Sequence, residues 1–292
     1  MDTEGALTRD ICPLFPIPPY IAESTCAINR PHKALVITCM NACKKEFPKH
    51  EAVIEIFRDL DCLNSWLLEQ TSAERGVCWN RVDINGFCLD MDAFCLLPLV
   101  HRCLQLSRKI AGGDTPEDEN TIADLSGEAF EAALRHAIIL FLSPIRRTLG
   151  LPATGTELHL TKLMSALQFY LVHHVNLDLH QLTFWTLIVG GCESCHLGRD
   201  ASFFFSHLVD GAAIIGAKSF MEVRDTIKHS VAQLVWLDEA MSVTFDPMLE
   251  QLEAYMQATP VSSDSEALLR DLGAGYLDEV TSWTIDEVVA LA

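Results

Sequence analysis

Positive charge is scarce in this chain. In 292 residues, 21 lysines and arginines stand against 40 aspartates and glutamates, a formal net charge of −19. Nucleic-acid backbones are held by Lys and Arg, so this balance argues against direct binding of DNA or RNA. The deficit is uneven: residues 1–110 carry 12 basic and 14 acidic side chains, and residues 111–292 carry 9 and 26. Long apolar runs are missing as well. "AIILFL" and "FWTLIVGG" are the longest, far short of the roughly 18 residues a membrane span needs. The opening "MDTEGALTRDICPLFPIPPY" has neither a basic n-region nor an apolar h-region, and no N-x-S/T acceptor occurs, so secretion is not expected. G-x-S-x-G, the P-loop and G-x-G-x-x-G are absent too, so no familiar catalytic or phosphate-binding motif anchors a reaction.

What is present is apolar periodicity. Hydrophobic residues make up 49 % of the chain, enough for one large core. Residues 1–31 hold prolines and little periodicity and read as an irregular arm. From residue 32 the spacing turns helical. Val53, Ile56, Phe57, Leu60, Leu63 and Leu67 recur at helical steps, as do Leu96, Leu99, Val100, Cys103 and Leu104, with Pro98 as an expected kink. "AGGDTPEDENT" (111–121) is a loop. A helix through Ala132, Ile139 and Leu142 follows, with Pro144 and Gly150 as expected stops. Ser219 and Glu222 form a capping box ahead of the stripe Phe220, Val223, Ile227, Val231 and Leu234. No stretch alternates with period two between hairpin turns. The expected architecture is all-α: one helical domain over 32–258, flanked by the arm and by a tail from 259 to 292.

Several constellations invite chemistry. Cys192-Glu-Ser-Cys195-His196 spells C-x-x-C-H, the pattern that attaches c-type haem. Haem ligation, a redox dithiol and a zinc clip are each conceivable. A reactive dithiol needs a lowered thiol pKa, usually at a helix N-terminus; here the cysteines follow an apolar helix. Trp185, Ile188, Cys192 and Cys195 fall at steps of three, four and three, which favours small buried fillers. Cys39 and Cys43 could complete a zinc site only by an arbitrary pairing, since a structural zinc wants four ligands. His173, His174 and His180 fall on a helical segment, with only His173 and His180 on one face. Asp59 and Asp61, Asp90 and Asp92, and the loop Asp114 to Glu119 raise magnesium-dependent chemistry on lipid or terpenoid substrates; none forms a D-D-x-x-D. The expectation is no catalytic residue, no cofactor and no metal.

The tail has its own composition. From residue 261 it carries seven acids and one base, Arg270. Thr284 and Glu287 form a second capping box, with Trp283 and Val288 placed as a hydrophobic staple. Acids alternating with large apolar side chains suit an activation segment, offering Trp283, Ile285, Val288 and Leu291 to a partner groove.

Taken in order, "AALRHAIILFLSPIRRTLG", the helix ending Val189-Gly190-Gly191, the cluster Phe203 to Phe205, the stop at Gly216, the start Ser219-Phe220-Met221-Glu222-Val223 and the segment Leu234-Val235-Trp236-Leu237-Asp238 resemble the regulatory domain of fungal-specific transcription factors. The likeness covers about residues 125 to 250 well, and 32 to 110 more loosely. In that family the domain follows a zinc binuclear cluster with a C-x-x-C-x6-C run. Cys12, Cys26, Cys39 and Cys43 do not have that spacing, so the zinc cluster DNA-binding module is not expected here. The resemblance implies a transcriptional regulator module, not an enzyme, acting in the nucleus (or the cytoplasm) through protein partners: the transcription machinery or a DNA-binding regulator. Homo-oligomerisation stays open. The competing expectations are an all-α metal-dependent enzyme and a non-functional remnant of a longer regulator.

Overall fold

A computed structural model describes residues 3–11, 13, 31–71, 96–111, 122–173, 179–214 and 216–259. Those residues form ten α-helices and one short 3-10 turn, with no strand among them. In chain order the helices are α1 (Thr3–Leu7), α2 (Ala34–Glu46), α3 (Glu51–Thr71), α4 (Leu97–Ala111), α5 (Ile122–Thr148), α6 (Thr156–His173), α7 (His180–His196), α8 (Ser202–Ile214), α9 (Phe220–Gln233) and α10 (Asp238–Ala258). The all-α expectation holds.

α7 is the axis of the body. Leu182 and every residue from Phe184 to Ser194 are buried, because α5, α6, α8, α9 and α10 all lie against it. A helix enclosed on every side must be apolar all round, and "FWTLIVGG" is. Trp185 sits at its heart, its ring edge-on to Phe57 with centroids 5.2 Å apart. The indole N–H donates to the carbonyl of Val235 at 2.8 Å, so the one polar group of this buried side chain is satisfied. Gly190 and Gly191 are explained by what packs on them. A methyl at Gly190 would lie 2.2 Å from the Phe204 ring, whereas one at Gly191 would touch Met248 at an ordinary 3.6 Å. The close neighbour at Gly190 is thus a phenyl ring of α8.

The predicted apolar stripes are buried as expected, from Val53 to Leu67 and from Leu96 to Leu104. The capping box at the start of α9 is present in both directions: Ser219 Oγ accepts from the Glu222 N–H, and the Glu222 carboxylate accepts from the Ser219 N–H. Gly216, with φ of 96°, ends α8 in a left-handed turn that few other residues adopt at low cost.

Local signals misled at two places. Pro144 does not stop α5, which runs through it to Thr148. A mid-helix proline costs about 3 kcal/mol, and the buried run from Ala137 to Ile145 outweighs it; Gly150, with φ of 71°, closes the turn beyond. Pro98, the expected kink, stands on α4 two residues after Leu96, which is wound as π-helix. The arm, read as irregular, contains α1 and a turn that dock on the body; the remainder of residues 14–30 lies outside the described residues.

Candidate functional site

The densest polar cluster is buried where the start of the chain meets α5 and α6. α5 supplies Arg135 and His136, α6 supplies His159 and Lys162, and the N-terminal segment supplies Asp10. Arg135, His136 and His159 are at most 1 % exposed. Asp10 Oδ1 accepts from Arg135 Nη1 at 2.7 Å, and Oδ2 lies 3.4 Å from Nη2. Lys162 Nζ reaches Oδ2 at 2.8 Å. Burial works against the ionised carboxyl, but Arg135 and Lys162 prevail and its pKa is lowered.

The histidines form a chain whose hydrogen-bond polarity is fixed at one end. Arg135 has only donors, so its Nη2, 2.9 Å from His136 Nε2, makes that nitrogen the acceptor. The proton of His136 must then sit on Nδ1, which donates to His159 Nδ1 at 3.0 Å. His159 Nε2–H in turn donates to the carbonyl of Leu7 at 2.9 Å. Both rings are neutral in this arrangement. Burial and the neighbouring Arg135 hold His136 well below the usual imidazole range, and burial brings His159 down to about 4.

A carboxylate and two imidazoles within 4.8 Å of one another could in principle hold a metal ion. The surroundings do not suit one. Both carboxylate oxygens are hydrogen-bonded by cations, and each imidazole nitrogen already takes part in the chain. Two fixed positive charges beside one carboxylate supply the compensation that a metal would otherwise bring.

Further contacts extend this junction. Glu4 pairs with Arg146 of α5 and accepts from Thr154 Oγ1 at 2.9 Å. Gly155 lies so close that a methyl there would stand 2.7 Å from the Leu7 carbonyl oxygen. Asp10 itself is left-handed, with φ of 48°, a conformation in which a non-glycine residue is uncommon. A second feature is a cavity of about 500 Å³ whose walls include Leu160, Met164, Ser194, Arg199 and Phe204. Ser194 Oγ is buried and has no hydrogen-bond partner, while Arg199 pairs with Glu157 at 3.1 Å between exposed side chains.

The residues singled out from sequence are dispersed. Cys192 is buried at the end of α7, and burial pushes its thiol well up. Cys195 is half-buried with its thiol raised to about 11, and His196 is exposed as the last residue of the helix. Cys39 and Cys43 are buried on α2, their thiols likewise raised by burial. Asp59 pairs with Arg102, and Asp61 accepts from His32 at 3.0 Å. His173 ends α6 and His180 opens α7, so they share no helix face. Asp90, Asp92, the 112–121 loop, Cys12, Cys26, His174 and the tail with Trp283, Ile285, Val288 and Leu291 lie outside the described residues.

Sequence reasoning missed the Asp10 cluster. One sign was legible: Arg135-His136 interrupts an apolar run that has to be buried. No family description, curated protein or solved structure matches the chain.

Proposed function

We propose that this chain is a regulatory and interaction module of the fungal transcription-factor type, a binding protein that works through protein contacts in the nucleus and not by touching DNA itself. The observation that carries the reading is the convergence of the resembling segments on α7. Gly190 receives Phe204 from the aromatic cluster. Trp185 is bonded to Val235, within the Leu234 to Asp238 segment. Arg147, from the stretch that closes α5, grips the buried Glu193 of α7 through two bonds of 2.8 and 2.7 Å. Segments scattered over a hundred residues thus serve one core. The concentration of negative charge in residues 111–292 supports partners other than nucleic acid.

In this reading the helical body is a scaffold, and residues 261–292 are the segment offered to a coactivator through Trp283, Ile285, Val288 and Leu291. The test fuses residues 261–292 to a heterologous DNA-binding domain upstream of a reporter. Activation that falls at least fivefold in the W283A/V288A variant is expected. A fusion as silent as the DNA-binding domain alone sinks the activation role of the tail. The full chain fused in the same way, silent and recruiting nothing, would sink the regulatory reading as a whole.

A further inference from the structure

We infer that the cavity bounded by α6, the end of α7 and the start of α8 is a binding site for a small uncharged molecule with an apolar body and one oxygen acceptor, which Ser194 recognises. The inference goes beyond the regulatory reading and does not depend on it. The observation that carries it is the Ser194 hydroxyl. Ser194 is 1 % exposed and belongs to the cavity wall, yet its Oγ has no hydrogen-bond partner among the described residues. A serine inside a helix can return its hydroxyl to the carbonyl four residues earlier, as Ser143 does toward Ile139 at 3.1 Å. Ser194 does not. Its own carbonyl is taken by the Arg199 N–H at 2.9 Å, so the hydroxyl is the group this residue has left to offer the cavity. A buried hydroxyl without a partner is costly, and a ligand acceptor beside it removes that cost.

The remaining walls specify the ligand class. At about 500 Å³ the cavity has the size of a small-molecule pocket. Leu160 and Met164 of α6 and Phe204 of α8 give it an apolar lining. Leu160 and Phe204 are buried, and the Phe204 ring is seated against Gly190, so this lining is fixed by the core before any ligand arrives. A phenyl ring and a thioether are good neighbours for ring carbon.

Charge is kept at the mouth. The ionisable residues of the wall are Glu157, Arg199 and Asp200, and all three are exposed. Glu157 and Arg199 are paired with each other. Asp200 Oδ1 accepts from the Ser202 N–H at 2.9 Å and from its hydroxyl at 2.6 Å. An ion beside Ser194 would therefore lose its hydration with no buried counter-charge to replace it. Two carboxylates against one guanidinium at the mouth disfavour an anion further. A neutral ligand loses nothing on either count, and its oxygen accepts from Ser194 Oγ–H.

The probe is acetophenone, with benzoate as its anionic counterpart, each titrated into the full chain carrying methyl-labelled methionine at constant pH and ionic strength. The Met164 methyl signal is assigned with Met164→Leu. Acetophenone should shift that signal saturably, with a Kd on the order of 1 mM for so small a ligand, and benzoate should bind about tenfold more weakly. Ser194→Ala removes the unbonded hydroxyl. This variant should melt no lower than the wild type and should bind acetophenone about fivefold more weakly. A Met164 signal that does not move or does not saturate, or equal affinity for the two probes, overturns the proposal. Wild-type affinity in the folded Ser194→Ala variant overturns it too. So does a variant that folds but melts several degrees lower, since its hydroxyl was then already satisfied within the protein. Should the variant not fold, the contrast between the two probes on the wild type decides alone.

Discussion

Acidification should loosen the N-terminal junction well before it protonates ordinary carboxylates. His159 has its pKa lowered from 6.5 to about 4 by burial, which outweighs the favourable effects of Asp10 and the Leu7 carbonyl, while Arg135 and Lys162 oppose protonation further. A depressed imidazole pKa means that the unfolded chain binds more protons than the folded one between those two values. Stability is complete above about pH 6.5 and declines as the pH falls toward 4. At pH 5 the unfolded imidazole is almost wholly protonated and the folded one hardly at all, so linkage gives a loss of about 2 kcal/mol from His159 alone. His136, lowered by burial and by Arg135, adds in the same direction. Asp10, also lowered, contributes stability that disappears only at still lower pH, as the pH falls through its depressed value. The assay is urea unfolding at pH 7, 6 and 5 for wild type and His159→Gln, which keeps a donor toward Leu7 but cannot titrate. Between pH 7 and 5 the variant should lose about 2 kcal/mol less than the wild type. Parallel stability curves would refute the buried neutral assignment of His159.

Other perturbations separate packing from charge. Gly190→Ala forces a methyl into the Phe204 ring at 2.2 Å and should cost about 1–3 kcal/mol, whereas Gly191→Ala, meeting Met248 at 3.6 Å, should be neutral or gain up to about 1 kcal/mol from helix propensity; thermal melts of the pair decide. Arg147→Met strands Glu193, which is 1 % exposed, and should cost about 3 kcal/mol, with Arg147→Met/Glu193→Met recovering much of it in urea unfolding. With an aromatic disulfide reagent at pH 8, Cys192 should stay unlabelled in the folded protein and Cys195 should react far more slowly than a free thiol, their thiolates being disfavoured by burial. Rapid labelling of both would return C-x-x-C-H to redox or metal chemistry.

Features fixed within one or two helical turns were legible in sequence: the all-α class, the buried stripes and the capping box at Ser219. Local rules erred where tertiary packing overrode them, as at Pro144, whose cost is outweighed by apolar burial along α5. They also erred where a segment gains its structure only from distant partners. Thr3 to Asp10 show no helical periodicity of their own, and what orders them lies on α4, α5 and α6. The polar pair Arg135-His136 announced that something had to meet it, but no window of neighbouring residues could show that Asp10 does. The cavity wall at Ser194 was hidden for a related reason: within "GGCESCH" a serine reads as one more small residue of a crowded helix.

Lys33 Nζ donates to the carbonyl of Leu234 at 2.5 Å, a bond spanning 201 residues, and Asp10 waits 125 residues for Arg135. Contacts of such separation form late, because the entropy of closing the loop is spent before any partner answers. On a ribosome, the first ten residues would emerge and remain without their sites until α5 and α6 had followed them out. Their side chains are mostly polar or acidic, which keeps that waiting segment soluble and gives it little to misassociate with. The charge that completes the junction at the end of folding is therefore the same charge that protects the nascent chain before it.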